Sequence, residues 1–333
     1  MLFKIDHITK LTYSAPVSET VFEARMAPPS TEDQTVLGYL LRTTPAAPLT
    51  SYRDGFGNRV DLFNLATPYR ELTIHTTSIV RVHRRRFEQG IDSTAWPTPG
   101  HLTRDGVDVV DFLEPSPLVD RSERLDAIVA SLKPPTGTFL DRVNELLHVV
   151  AGELAYEQRV TTSRTPLREV LELKKGVCQD FAHLMLGVCR GVGVPARYVS
   201  GYINHPGEIA THAWCQLWGG SAFGWFDVDP TRTQFVGDEH VVVAVGRDYS
   251  DVPPNRGLWK GRAEESINVT VQVEPIDRVP HDWNEWSSWG ARGTHQSRST
   301  SRVTESKKRV HVPYPVQRSR NPQLKQQQGQ QQQ

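Results

Sequence analysis

The chain has 333 residues, with 38 Lys or Arg balanced by 38 Asp or Glu, so it is formally neutral at pH 7. That balance supplies no global field to attract nucleic acid or an acidic membrane surface, while the length suffices for two domains and a sizeable core. The start, MLFKIDHITKLTYS, lacks the apolar stretch of a signal peptide, no run approaches a membrane span, and the three cysteines form no disulfide framework, so cytoplasmic residence with reduced thiols is expected.

Residues 1–85 read as β. Phe3 to Tyr13, Val17 to Arg25, Leu37 to Thr43 and Leu72 to Val82 are rich in β-branched and aromatic residues and separated by turn clusters. Asp54-Gly55-Phe56-Gly57-Asn58 predicts a turn between strands at Leu49–Tyr52 and Arg59–Leu65. An antiparallel sandwich or barrel-like domain over residues 1–120 is expected. His7 and His75 read as strand residues, because no second ligand stands at metal spacing. Residues 86–122, with Pro97, Pro99, Pro115 and Pro117, read as a linker.

Helical periodicity returns from Arg121 to about Leu132 and from Thr138 to about Leu154, where Phe139, Val143, Leu146, Leu147 and Val150 form a stripe. Pro134-Pro135-Thr136-Gly137 separates these two helices. Thr165 as N-cap and Pro166 at the first helical position open a third short helix through Leu171. The stretch KKGVCQDFAHLMLGVCRGVGVPARYVSGY, Lys174 to Tyr202, then holds a cysteine, an amphipathic helix, a stop at Gly193-Val194-Pro195 and a strand. Cys178 falls at the helix start, where unpaired N–H groups and the helix dipole favour an anion; thiols so placed titrate at roughly 3.5–7.5 instead of about 8.5.

A cysteine nucleophile needs a base, and the base an orienting group. Thr211 to Trp218 alternates like a strand with His212 near its start, and Gly224 to Thr231 is a second strand ending in an acid and a proline turn. Gly219-Gly220-Ser221 between them predicts a hairpin, which brings His212 beside the end of the second strand. Asp227 and Asp229 share one face of that strand, and spacing alone does not choose between them. His240 to Val245 reads as a further β segment, Arg247–Pro254 as a loop and Glu264 to Glu274 as the closing strand of a domain over residues 121–275. Helices before the cysteine and strands after it make that domain α+β. Trp283, Trp286 and Trp289 suit a short docking helix, whereas residues 276–333 as a whole read as a low-complexity, disordered tail.

GVCQDFAHLMLGVCRGVGVPARYVSGY, THAWCQLW and GWFDVDPT occur in that order and together resemble the transglutaminase-like core of bacterial proteins, a papain-like cysteine fold. TYSAPV and DGFGN resemble the N-terminal region that accompanies this core, and VAVGRDYSDVPP resembles the segment that follows it. The resemblance implies a papain-like catalytic core preceded by an antiparallel β-sandwich-like domain, with Cys178 as nucleophile, His212 as general base and acid, and Asp229 as orienting carboxylate. It implies acyl transfer at an amide of a peptide or protein substrate through a thioester, resolved by water or by an amine. The alternative is a non-catalytic binding module that retains the fold. A degenerate triad would mark it, and all three residues are present.

No HExxH, CxxC, GxxxxGK[ST] or helix-opening GxGxxG occurs, so neither a cofactor nor a metal is expected, and nothing points to a nucleic-acid or membrane partner or to an oligomeric state. Cys189 and Cys215 read as core thiols, His183 as a structural histidine and Asp180 as a first-turn carboxylate facing the helix dipole. Trp214, Trp218 and Trp225 read either as core or as walls of a second approach to Cys178.

Overall fold

Period-two burial runs through Tyr13 in the first strand, β1 (Leu2–Ala24), and resumes with the opposite parity at Thr20, Phe22 and Ala24, so the strand spans 23 residues. It is followed by β2 (Gln34–Thr44), β3 (Leu49–Arg53), β4 (Arg59–Leu65) and β5 (Tyr69–Val82), and then by the two-residue strands β6 (Thr103–Arg104) and β7 (Val107–Asp108). The helices are α1 (Glu123–Ser131), α2 (Phe139–Glu153), α3 (Leu167–Leu173) and α4 (Cys178–Gly191), with β8 (Ala155–Tyr156) before α3 and β9 (Lys175–Gly176) after it. Strands β10 (Ala196–Ile203), β11 (Thr211–Trp218), β12 (Trp225–Asp229), β13 (Gln234–Phe235) and β14 (His240–Gly246) complete the core. The last strands among the described residues are β15 (Asn255–Lys260) and β16 (Glu265–Pro275). This computed structural model describes residues 1–85, 103–104, 107–134, 137–205, 210–220, 223–281 and 283.

The N-terminal sheet has the order β2-β5-β1-β4-β3, with β15 and β16 also paired to β1. The two strands expected at Phe3–Tyr13 and Val17–Arg25 are therefore one. Its ladder to β5 slips between Thr12 and Val17, its ladder to β15 slips between Ser18 and Val21, and Glu19 takes a left-handed φ of 49°. Such bulges bend a strand without ending it, and Pro16 sits inside the first slip, where no ladder N–H is needed. Glu265–Pro275 is the strand its alternation predicts, but its partner is β1, paired from Phe3 with Pro275 to Tyr13 with Glu265. Backbone pairing thus joins β15 and β16 to the first strand.

In the second half a five-stranded antiparallel sheet, ordered β13-β12-β11-β10-β14, packs against α4. Phe181, Leu184, Met185 and Val188 are all buried, and they meet Ala213, Cys215 and Leu217 of β11 with the stripe Val143, Leu146, Leu147 and Val150 of α2. Burial of so many full side chains, each worth roughly 1.5–3 kcal/mol, fixes where α4 begins and ends. At its C-terminal end Gly193 adopts a φ of 79° while the Val194 N–H returns to the Cys189 carbonyl at 2.8 Å, the stop that the sequence predicts.

Three expectations shift. Pro166, not Thr165, caps α3; Thr165 Oγ1 instead accepts the Thr162 N–H at 2.9 Å and closes its own turn. Within the expected linker, Val109–Phe112 form a short 3-10 turn whose Phe112 packs edge-on to Trp225 at 5.2 Å, while Pro97 and Pro99 lie outside the described residues. In the expected tail, Trp283 is buried with its indole against Gly38, where a Cβ would clash at 2.1 Å. Trp286, Trp289 and the rest of the tail lie outside the described residues.

Side chains of the N-terminal region also finish the core sheet. Gln34 makes two 2.9 Å hydrogen bonds, one to the N–H and one to the C=O of Val242, and Asn58 makes the same pair to Val245 at 2.8 Å. These amides supply on β14 what a neighbouring strand would, which leaves its edge satisfied.

Candidate active site

Local chemistry at the start of α4 places the thiol. β9 runs parallel to β8, and the Glu157 N–H donates to the Gly176 carbonyl at 2.9 Å, so the chain enters α4 on a fixed line. Asp180 Oδ2 accepts the Val177 N–H at 2.8 Å and the Thr161 hydroxyl at 2.7 Å. It is half of a capping box, since Val177 has no side-chain acceptor to complete the other half. Gly176 is required here, because a Cβ would lie 2.4 Å from the Asp180 carboxylate. Burial raises the Asp180 carboxyl to about 6 despite both hydrogen bonds, and its Oδ1 has no hydrogen-bond partner. The first-turn reading of Asp180 is correct, with Thr161 as a partner that the sequence did not reveal.

Cys178 is the first residue of α4 and 6% exposed, whereas Cys189 and Cys215 have no exposed surface. Burial pushes the Cys189 thiol up to about 12 and holds Cys215 well above its ordinary range, and Cys215 Sγ donates to the Ala182 carbonyl at 3.3 Å. His183 is buried and kept neutral, its pKa lowered to about 4 by burial, and its Nε2 accepts the Tyr249 N–H at 3.3 Å. These are the structural roles expected of them.

The predicted hairpin forms, with Cys215 opposite Val228 and Trp218 opposite Trp225. It sets His212 diagonally from Asp229, and His212 Nε2 donates to Asp229 Oδ2 at 2.7 Å. Nδ1 is then the ring nitrogen left for Cys178, whose thiol is the second hydrogen-bond partner of this ring. Burial disfavours a charged His212, but the bonds to Asp229 and Cys178 outweigh it and raise its pKa to about 10. Burial likewise opposes an ionised Asp229, and hydrogen bonds from His212 and His240 hold it well below the usual carboxylate range. Asp229 Oδ1 accepts the N–H groups of Thr231 at 3.0 Å and Arg232 at 3.3 Å, which pins the turn after Pro230. All three residues singled out in the sequence therefore meet at one place.

Asp227 points the same way but serves other partners. Trp214 Nε1 donates to it at 2.6 Å, Gln216 Nε2 at 3.1 Å and Arg84 Nη1 at 2.7 Å. Trp214 and Trp218 are buried in the interior, so neither walls an approach to the thiol; Trp225 packs between Phe112, Trp218 and the Arg197 guanidinium.

Two further residues enter that the sequence reading passed over. His240 Nε2 lies 3.2 Å from Asp229 Oδ2, and Arg84 Nη2 donates to the His240 carbonyl at 3.1 Å. Gly201 leaves room for the Trp214 ring, against which His240 packs: a Cβ there would meet that ring at 2.2 Å and the Val241 carbonyl at 2.4 Å. A histidine heading the apolar run HVVVAVG was the available signal, since so buried a ring must find a partner. Among the described residues, His212, Asp229 and His240 are the group whose ligand atoms gather within 4.8 Å. The Asp229 oxygen between the rings already accepts from both, and Asp229 and His240 have no exposed surface, so the cluster is explained as a hydrogen-bonded carboxylate.

Residues 124–230 match the transglutaminase-like superfamily, and residues 3–81 match the bacterial transglutaminase-like N-terminal region. An uncharacterised protein of Mycobacterium leprae is 32% identical over 283 residues, covering 81% of this chain and 97% of the relative. A protein-glutamine gamma-glutamyltransferase of Pseudomonas aeruginosa is 35% identical over 72 residues, which span 19% of this chain and 11% of that enzyme. The crystal structure of a Cytophaga hutchinsonii protein, named as a candidate cysteine protease, shares the fold with a TM-score of 0.65 and 24% identity, over 85% of this chain and 95% of that one.

Proposed function

The chain belongs to the transglutaminase-like superfamily, and from that premise we propose that it carries out acyl transfer at an amide through a Cys178 thioester. The observation that carries this reading is the continuous line Cys178–His212–Asp229 at the start of α4. The Cys178 thiol proton is held on His212 Nδ1 before the attack, in keeping with the raised His212 pKa of about 10, and Cys178 Sγ then adds to the carboxamide or peptide carbonyl carbon. The C–N bond breaks as His212 returns that proton to the leaving ammonia or amine. Asp229 on Nε2 holds the productive tautomer throughout. The backbone N–H of Cys178 at the helix start is the donor assigned to the oxyanion.

Water or an amine then resolves the thioester. We read water as the acceptor of a peptide or protein acyl group, because an amine must be bound well enough to overcome the excess of water. The tryptophans that would have built such a groove are spent elsewhere: Trp214 is buried with its N–H on Asp227. The test offers a glutamine-containing peptide with increasing concentrations of a small primary amine and measures amide product against free acid or cleaved peptide. Acid or cleavage should dominate up to millimolar amine. Dominant amide would establish a transferase, and no turnover above that of Cys178→Ser would return the chain to the binding-module alternative.

A further inference from the structure

We propose that His240 is a positioning residue for this site: it bonds the same Asp229 oxygen as His212 and limits how tightly that carboxylate grips the His212 proton. The inference rests on the reading of Cys178, His212 and Asp229 given above.

The geometry around Asp229 carries it. Oδ2 takes His212 Nε2 at 2.7 Å and His240 Nε2 at 3.2 Å, while Oδ1 takes the N–H groups of Thr231 and Arg232. A carboxylate has about four lone-pair sites, so these four donors fill it. His240 has no exposed surface, and burial lowers its pKa, so its ring is neutral and serves Asp229 as an N–H donor. Its Nδ1 faces Glu239 Oε1 at 3.6 Å and makes no hydrogen bond.

His240 is itself held from the N-terminal region. Arg84, two residues past β5, grips the His240 carbonyl and the Asp227 carboxylate together. The His240 ring rests edge-on against Trp214 at 5.1 Å, and the Trp214 N–H ends on the same Asp227. The charged or titratable groups around it are therefore His212 from β11, Asp229 and Asp227 from β12, Arg232 and Glu239 from the turns before β14, and Arg84.

The chemical consequence follows from what a base must do twice. His212 takes the thiol proton and must then surrender it to the leaving group. A carboxylate whose other donors are removed becomes more basic, and an imidazolium bound to it becomes a weaker acid. A second donor on the same oxygen moderates that grip.

The experiment compares full-length wild type with His240→Leu, which fills the space without a donor, and His240→Gln, whose carboxamide N–H replaces Nε2–H. Each protein is labelled with ¹³C-histidine, the His212 ring is titrated by NMR, and thermal melting is recorded on the same samples. His240→Leu should raise the His212 pKa by about half to one unit, the worth of one ordinary hydrogen bond, and His240→Gln should return it to within a few tenths of wild type. Equal values in all three proteins, or the same shift in both variants, would overturn the proposal and leave His240 as packing. Failure of the underlying reading would appear in the wild type alone, as a His212 ring already neutral at pH 7.

Discussion

Two positions of β12 hold the same side chain in opposite settings. At the middle of the strand Asp227 meets the guanidinium of Arg84, whose side chain is itself nearly buried, together with the N–H groups of Trp214 and Gln216. At its C-terminal end Asp229 meets two imidazoles and two backbone N–H groups, and one of those imidazoles continues to a thiol. The difference teaches where chemistry can reside. A carboxylate matched by guanidinium is neutralised at every ordinary pH and can only hold the fold together. A carboxylate matched by histidine biases a proton that is able to move.

The sharpest way to break this comparison is to remove each charge in turn. Asp229→Asn should cut turnover of the glutamine peptide by about 10⁴-fold while the protein stays folded, by the logic of other orienting carboxylates. Asp227→Asn should leave the rate within about tenfold yet cost about 3 kcal/mol in urea unfolding, because it strands a buried guanidinium. Reversed rankings would mean that the roles of the two aspartates are exchanged.

A smaller contrast separates the two ends of α4. Iodoacetamide at neutral pH should modify Cys178 at least about 10²-fold faster than Cys189, whose thiol is buried and pushed up to about 12, or Cys215, which is buried as well. Peptide mapping of the alkylated protein measures the ratio, and comparable labelling of all three thiols would remove the distinction.

The smallest effect lies in the pH dependence of stability. The folded His212 pKa of about 10 stands above its ordinary 6.5, so its contribution is complete below about 6.5 and is lost as pH rises through about 10. Wild type should therefore lose stability relative to His212→Gln as pH rises across that window, followed by urea unfolding at each pH. A difference that is flat from pH 6 to 10 would show that Asp229 and Cys178 do not hold the proton on His212.

Much of this was legible in the linear chain because the forces involved are local. The stripe of α4, the glycine stop at Gly193 and the alternation of β11, β12 and β16 each follow from side-chain periodicity or from one residue's backbone freedom. Cys178 at a helix start and His212 across a hairpin from Asp229 are separations that short-range geometry fixes. The choice of Asp229 over Asp227 needed more, because alternation puts both on one face; their partners, which lie on other elements, tell them apart.

Tertiary structure alone decided the remainder. That β16 pairs with β1, about 260 residues away, depends on two edges meeting in space, and no pattern in either strand names its partner. That Gln34 and Asn58 cap β14, that Arg84 clamps β12 to His240, and that His240 reaches Asp229 are consequences of burial. A buried polar group must find its hydrogen bonds among whatever the fold brings near, and the sequence specifies the need without specifying the neighbour.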